Sequence, residues 1–226
     1  LTNGIYYRVI ARSGANLCKS DTSQVVKIGI SNLWTGNIDT DWNTAGNWSD
    51  YQLPSTTPCT EVYIPNTINQ PIMNGRPVST IMNLHVLSGA SVTINKTGLM
   101  QLKGDIFNSG IFDVTDGTIE FNGSATQNIL KNVFAANKIK NLIISNDVML
   151  AANAQDSITG HLSFGSTGKN FTTNGNLTLK STINGTASVG QIISGNTING
   201  DVTVERYIAT GTGSAPNHGK SWQLLA

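Results

Sequence analysis

From residue 60 to 208 one pattern keeps returning: a few apolar side chains at alternate positions, bounded by Gly, Asn, Ser or Asp. "EVYI", "NLHV", "SVTI", "GLMQL", "GIFDV", "GTIEF", "NLIIS", "HLSF", "NLTLK" and "DVTVERYI" all read this way. Successive side chains of an extended chain point to opposite sides, so alternation of this kind predicts strands with one buried face. Three of the phrases place Asn-Leu ahead of the alternation, at Asn83-Leu84, Asn141-Leu142 and Asn176-Leu177. Recurring short strands mean a sandwich, a barrel or a solenoid.

Two features favour the solenoid. The predicted strands are about three to five residues long, short for a sandwich sheet, and the gaps between them carry no helical crossover. A parallel β-helix meets both facts, because each coil needs two or three short strands separated by tight bends. Six Asn-Gly dipeptides support the alternative, an antiparallel sandwich, since Asn-Gly is a strong hairpin signal. In "FTTNGNLTLK", however, a short arm faces a longer one, and such turns fit β-helix corners equally well. With about 20 residues per coil, roughly seven coils stack into a rod ~34 Å long. Leu, Ile, Val and Phe should form its core columns, with Asn laddered at the bends.

The chain before this region divides in two. "IYYRVIA" and "SQVVKIGI" are two alternating runs within residues 1–30, joined by the polar loop "RSGANLCKSDT". Two strands alone are marginal in water, so they should complete a larger sheet or cap the next domain as a private hairpin. Residues 31–59 are rich in Trp and turn formers, and Pro54 to Pro77 holds five of the six prolines. Proline cannot donate to a central ladder, which makes this stretch a lead-in and not sheet interior. The open end of a β-helix must be covered, and "WTGNIDTDWNTAGNW" at residues 34–48 is the expected lid.

Composition narrows the context. Charged residues are 12% of the chain, about half the usual share, while Asn alone numbers 26 and Gly 23. Fourteen basic residues against thirteen acidic leave no cationic surface for nucleic acid. No apolar run is long enough to span a bilayer as a helix, and no secretion signal is visible, so the chain reads as part of a longer protein. Cys18 and Cys59 fall in different predicted domains, free or paired with each other or with a partner elsewhere.

Candidate chemistry is sparse. Asp39, Asp41 and Asn43 have the alternate spacing of a calcium loop, but Thr44 replaces the glycine and Asp50 the distal Glu. Asp caps beside buried indoles explain them as well. Trp34, Trp42 and Trp48 would serve either as lid or as a sugar-stacking platform, and even spacing inside a lid favours burial. Asp105, Asp113, Asp116 and Glu120 are the one local concentration of carboxylates, and they alternate with apolar strand positions as a solvated face would. His85, His161 and His218 lack metal-ligand spacing. Arg76 and Arg206, which a metal-assisted lyase would need on adjacent coils, sit near opposite ends of the predicted rod. There is no phosphate loop and no nucleophile elbow. The chain is therefore expected to have no catalytic, cofactor-binding or metal-binding residues.

"WTGNIDTDWNTAGNWS", "LPSTTPCTEVYIPNTINQPIM", "NLHVLSGASVTI", "TIEFNGSATQNI", "KIKNLIIS" and "GDVTVERYIATG" through "GKSWQLLA" together resemble the β-helical repeat region of large secreted surface proteins of Bacteroidota. The "YYRV" strand with its Cys resembles the close of an immunoglobulin-like or fibronectin-type domain. The resemblance covers residues 32–226. It implies export by the type IX route, a cell-surface location and a role in adhesion, gliding or surface architecture. No catalytic residue is carried over with it. "DSI" at Asp156 to Ile158 fits the short O-glycosylation signal that the resemblance implies. The expected organisation is an immunoglobulin-like ending (1–30), a Trp/Pro-rich cap (31–59), β-helix coils (60–208) and an exit segment (209–226) leading to a further domain. Expected partners are other domains of the same chain, surface glycans or surface proteins. The alternative function is a carbohydrate-binding or polysaccharide-degrading β-helix.

Overall fold

The computed structural model describes residues 6–7, 10–12, 20–22, 26–27, 32–55, 61–75, 79–193 and 195–208. Among them the fold is all-β, interrupted only by two one-turn 3-10 segments, Ala45–Asn47 and Ala135–Asn137. From Val62 onward the chain winds into a parallel β-solenoid of about seven coils. The antiparallel sandwich is excluded, because every pairing between coils is parallel.

Three faces recur along the path. First-face strands are Val62–Ile64, Leu84–Val86, Ile106–Asn108, Gln127–Ile129, Val148–Leu150, Asn170–Thr172 and Thr197–Asn199. The second face runs through Ile72–Met73, Ser91–Ile94 and 111–114, then 139, 156–158, Leu177–Leu179 and Val202–Val204. The third stacks Ser79–Ile81, Leu99–Leu102, 118–121, 141–144, 161–164 and Ser188–Val189. Where a corner turns without leaving extended backbone, two phrases fuse into one strand, as in the eleven-residue Ile111–Phe121.

In-register stacking converts the alternation into apolar columns. Ser79, Met100, Ile119, Leu142, Leu162 and Val189 lie side by side across the third face. Val114, Ile139, Ile158, Leu179 and Val204 do the same on the second. The coil length is not uniform. Tyr63, His85 and Phe107 are neighbours at steps of 22 residues, whereas the third-face step is 19 from Met100 to Ile119 and 27 from Leu162 to Val189. The long step holds a small antiparallel hairpin, Ser181–Thr182 with Gly185–Thr186. Among the described residues, the Asn ladder expected at the bends is reduced to Asn95 donating to Asn74 (2.6 Å), and the longer polar ladder runs along the third face through other residues. Thr80 donates to Gln101 (2.7 Å), Gln101 to Glu120 (2.7 Å) and Ser145 to Glu120 (2.5 Å), linking four coils.

Ahead of the solenoid, Tyr6–Tyr7 pairs antiparallel with Val26–Lys27, and Ile10–Arg12 with Ser20–Thr22. The two runs therefore pair with each other, as either an immunoglobulin-like ending or a private hairpin requires. Cys18, Cys59, Arg76, His218 and the exit segment lie outside the described residues.

Candidate functional site

The Trp-rich stretch is a plug. Trp34, Trp42 and Trp48 are at most 1% exposed. Trp48 stands edge-on to both others, with ring centres 5.1 Å and 4.8 Å away. All three indole N–H groups are satisfied: Trp34 donates to the Asn69 carbonyl (2.8 Å), Trp42 to Ser79 Oγ (3.0 Å) and Trp48 to the Trp42 carbonyl (2.9 Å). The backbone acts as an extra half-coil, since the Trp34 amide donates to Tyr63 and the Trp42 amide to Ile72, whose own amide donates to Thr40. A sugar platform needs an open ring face, and these indoles offer none.

Asp39 and Asp41 are spent on the same plug. Asp39 accepts from the Asp41 amide and from Asn47 Nδ2, and Asp41 accepts from the Asn43 amide. The fully buried Asn47 accepts from the amides of Ile38 and Asp39 and donates to Asp39 and the Asp41 carbonyl, so one carboxamide shapes the loop. Its hydrogen bond, ahead of the Asp41 amide, holds the Asp39 carboxyl below the usual range. Of the two glycines of this stretch, Gly36 is at φ +60°, where a Cβ would meet the Asn69 carbonyl at 2.4 Å.

The remaining carboxylates do not converge. Asp105 precedes the first-face strand of its coil, Asp113 lies on the second face and Glu120 on the third. Asp113 bonds its own neighbour Thr115, and Glu120 belongs to the ladder above. Asp116 is exposed in the bend between Asp113 and Glu120. Among the described residues no three of His, Cys, Asp and Glu are grouped to hold a metal. His161 contacts Ser188, while His85 stacks between Tyr63 and Phe107 at 4.4 Å and 4.6 Å and bonds Glu61. Burial pushes the Glu61 carboxyl up, but its bonds with His85 and Asn83 outweigh that and leave it below the usual range. Arg206 sits on the last described coil, beside Glu205.

Two features were not anticipated from the sequence. Asp156 points inward, is fully buried, and neither carboxylate oxygen has a partner. Desolvation pushes it up to about 7. Ser157 is buried beside it and donates to the Asn137 carbonyl, so "DSI" is closed to glycosylation in the folded chain.

The second is a junction between the third and fourth coils. Ile106–Asn108 pairs only with the coil before it, and Gln127–Ile129 only with the coil after. On the second face, residues 111–113 likewise pair with Ser91–Ile94 alone, and the fourth coil passes them as the turn Ala135–Asn137. On the second face only the Val114–Ile139 pair crosses the junction, whereas the third face is paired along its whole strand. Side-chain amides take over from the missing ladder. Buried Gln127 donates to the carbonyls of Leu102 (3.0 Å) and Gly104 (2.7 Å) and accepts from the Gly123 amide, while Asn108 donates to the Val133 carbonyl. Asn132, Ala136 and Asn137 all adopt left-handed backbone nearby. The junction leaves an open notch of about 460 Å³ lined by Asn108, Gly110, Ile111, Asn132 and 134–137.

Residues 33–124 match the family model of a domain of unknown function, DUF8693, less than half of the chain. The match begins at the Trp plug and ends within three residues of Gln127, so its limits coincide with the plugged first three coils. No curated protein and no solved structure matches the chain.

Proposed function

We propose that this chain is a non-catalytic structural and adhesive module of a large secreted cell-surface protein. The observation that carries the reading is how the polar side chains are used. Catalysis needs ionisable groups converging on one cleft. Here the polar groups of the third face bond from coil to coil in the ladder from Thr80 to Ser145, and the carboxylates of the third coil diverge over its three faces. Such a rod spaces and displays what it is joined to. The charge-poor, Asn-rich composition and the resemblance to surface modules support the extracellular location and partnership with other domains of the same chain, surface glycans or surface proteins. No helix among the described residues is long and apolar enough to cross a membrane.

The test is direct. Purified chain should release no reducing ends and no unsaturated products from a panel of plant, algal and bacterial polysaccharides. Turnover abolished by Asp113→Asn or Asp116→Asn would overturn the reading in favour of a degrading enzyme. Antibody labelling of intact cells making the parent protein should reach this module, and labelling that requires lysis would refute the surface location.

A further inference from the structure

We propose that the notch between the third and fourth coils binds a neutral saccharide. The inference rests on the adhesive reading above and supplies its ligand class. At about 460 Å³ the notch falls within the range of small-ligand sites, and such sites favour boundaries between structural units. This one lies where the first-face ladder stops, the second-face ladder narrows to the Val114–Ile139 pair, and the family match ends.

Its chemistry is that of a sugar-binding surface. No ionisable side chain lines it, although Lys131 and Lys138 stand just beside the lining. Asn108 is committed to Val133 and Gly110, but the side-chain amides of Asn132 and Asn137 make no hydrogen bond to any described residue. Each free carboxamide offers donors and an acceptor side by side, which matches vicinal hydroxyl groups. Ile111, 56% exposed, supplies the apolar surface against which the C–H face of a sugar ring can lie, and Phe107 and Leu130 are exposed on the coils either side of the junction. A free anion would find no cation in the lining. A peptide strand would have to reach the edge of residues 111–113 past the turn Ala135–Asn137.

The experiment uses the whole ¹⁵N-labelled chain titrated with cellotetraose, xylotetraose, mannotetraose and maltotetraose, with trigalacturonate and a (Thr-Val)₃ peptide as competing chemistries. At least one neutral tetrasaccharide should shift the Asn132 and Asn137 side-chain amide signals and the Ile111 backbone signal. Asn137→Asp keeps the left-handed turn but removes the donors, and Ile111→Ser removes an exposed surface. Each should weaken binding about tenfold, the scale of one hydrogen bond or apolar contact. Ile183→Ser, at the far end of the solenoid, should leave it unchanged. The inference is overturned if no neutral tetrasaccharide moves these signals, if trigalacturonate or the peptide binds there instead, or if the two notch variants bind as the parent does. A chain that neither binds these sugars nor degrades polysaccharide would sink this site and leave the structural reading intact.

Discussion

Among the described residues, the two ends of the solenoid differ in how their last layer is covered. At the start, the inner face of the first coil is sealed by three indoles whose N–H groups all have acceptors, and the plug's backbone pairs with Tyr63 and Ile72 as a coil would. At the finish, one second-face column goes from fully buried at Ile158 through 9% exposed at Leu179 to 69% at Val204, with Tyr207 and Ile208 also exposed. A stack of parallel coils buries each layer only through its neighbours, so a terminal layer needs a substitute for the missing one. The comparison teaches that the plug stands in for a coil, backbone pairing included, and is more than an apolar cover.

If that is right, the largest effect of any single truncation to Ala should lie in the plug. Trp42→Ala removes a fully buried indole of the cluster and its bond to Ser79, and should cost about 3–5 kcal/mol in urea unfolding. The equivalent truncation at the far end, Val204→Ala, should change little.

A comparably large effect belongs to the later coils, where Asp156 is a buried liability with no counterpart among the first three. Its carboxyl sits near 7 when folded and near its ordinary 3.8 when unfolded. Between those values the folded state holds more protons than the unfolded one, so stability is full below about pH 4, falls as pH rises, and levels off above pH 7. The loss amounts to about 4 kcal/mol across that window. Asp156→Asn should abolish this slope in denaturant titrations run at pH 4 to 8, and an unchanged slope would refute the assignment.

Asn47→Ala sharpens the plug's side of the comparison. It strips the loop of the carboxamide that bonds Ile38, Asp39 and Asp41, and should cost about 2–3 kcal/mol while lifting the Asp39 carboxyl toward its ordinary value, readable by carboxyl NMR titration. The smallest expected effect is Val204→Asp. It should stay within about 0.5 kcal/mol, as for an exposed position, whereas Val62→Asp, at a fully buried position of the first coil, should prevent folding.

The sequence by itself determined the strands, the solenoid and the plug. Alternation in phrases such as "NLHV" and "NLTLK" is a local property, written in neighbouring residues, and so is a concentration of Trp among turn formers ahead of the first coil. The alternation of Asp105, Asp113, Asp116 and Glu120 with apolar positions read as a solvated face, and it took the coil to spread Asp105, Asp113 and Glu120 around its three faces. Register was decided only by the tertiary structure. Nothing local says that "QNIL" begins a new ladder, and the one hint was a polar Gln127 where earlier phrases begin with Val62, Leu84 and Ile106. Likewise, "KNVFAANK" shows two Asn in a stretch without alternation, but not that the turn there opens a notch against Ile111 on the coil before. Asp156 reads as one more solvated acid until the corner before it turns the side chain inward. Periodicity specifies which residues share a face, whereas stacking between coils about 20 residues apart sets what each face meets.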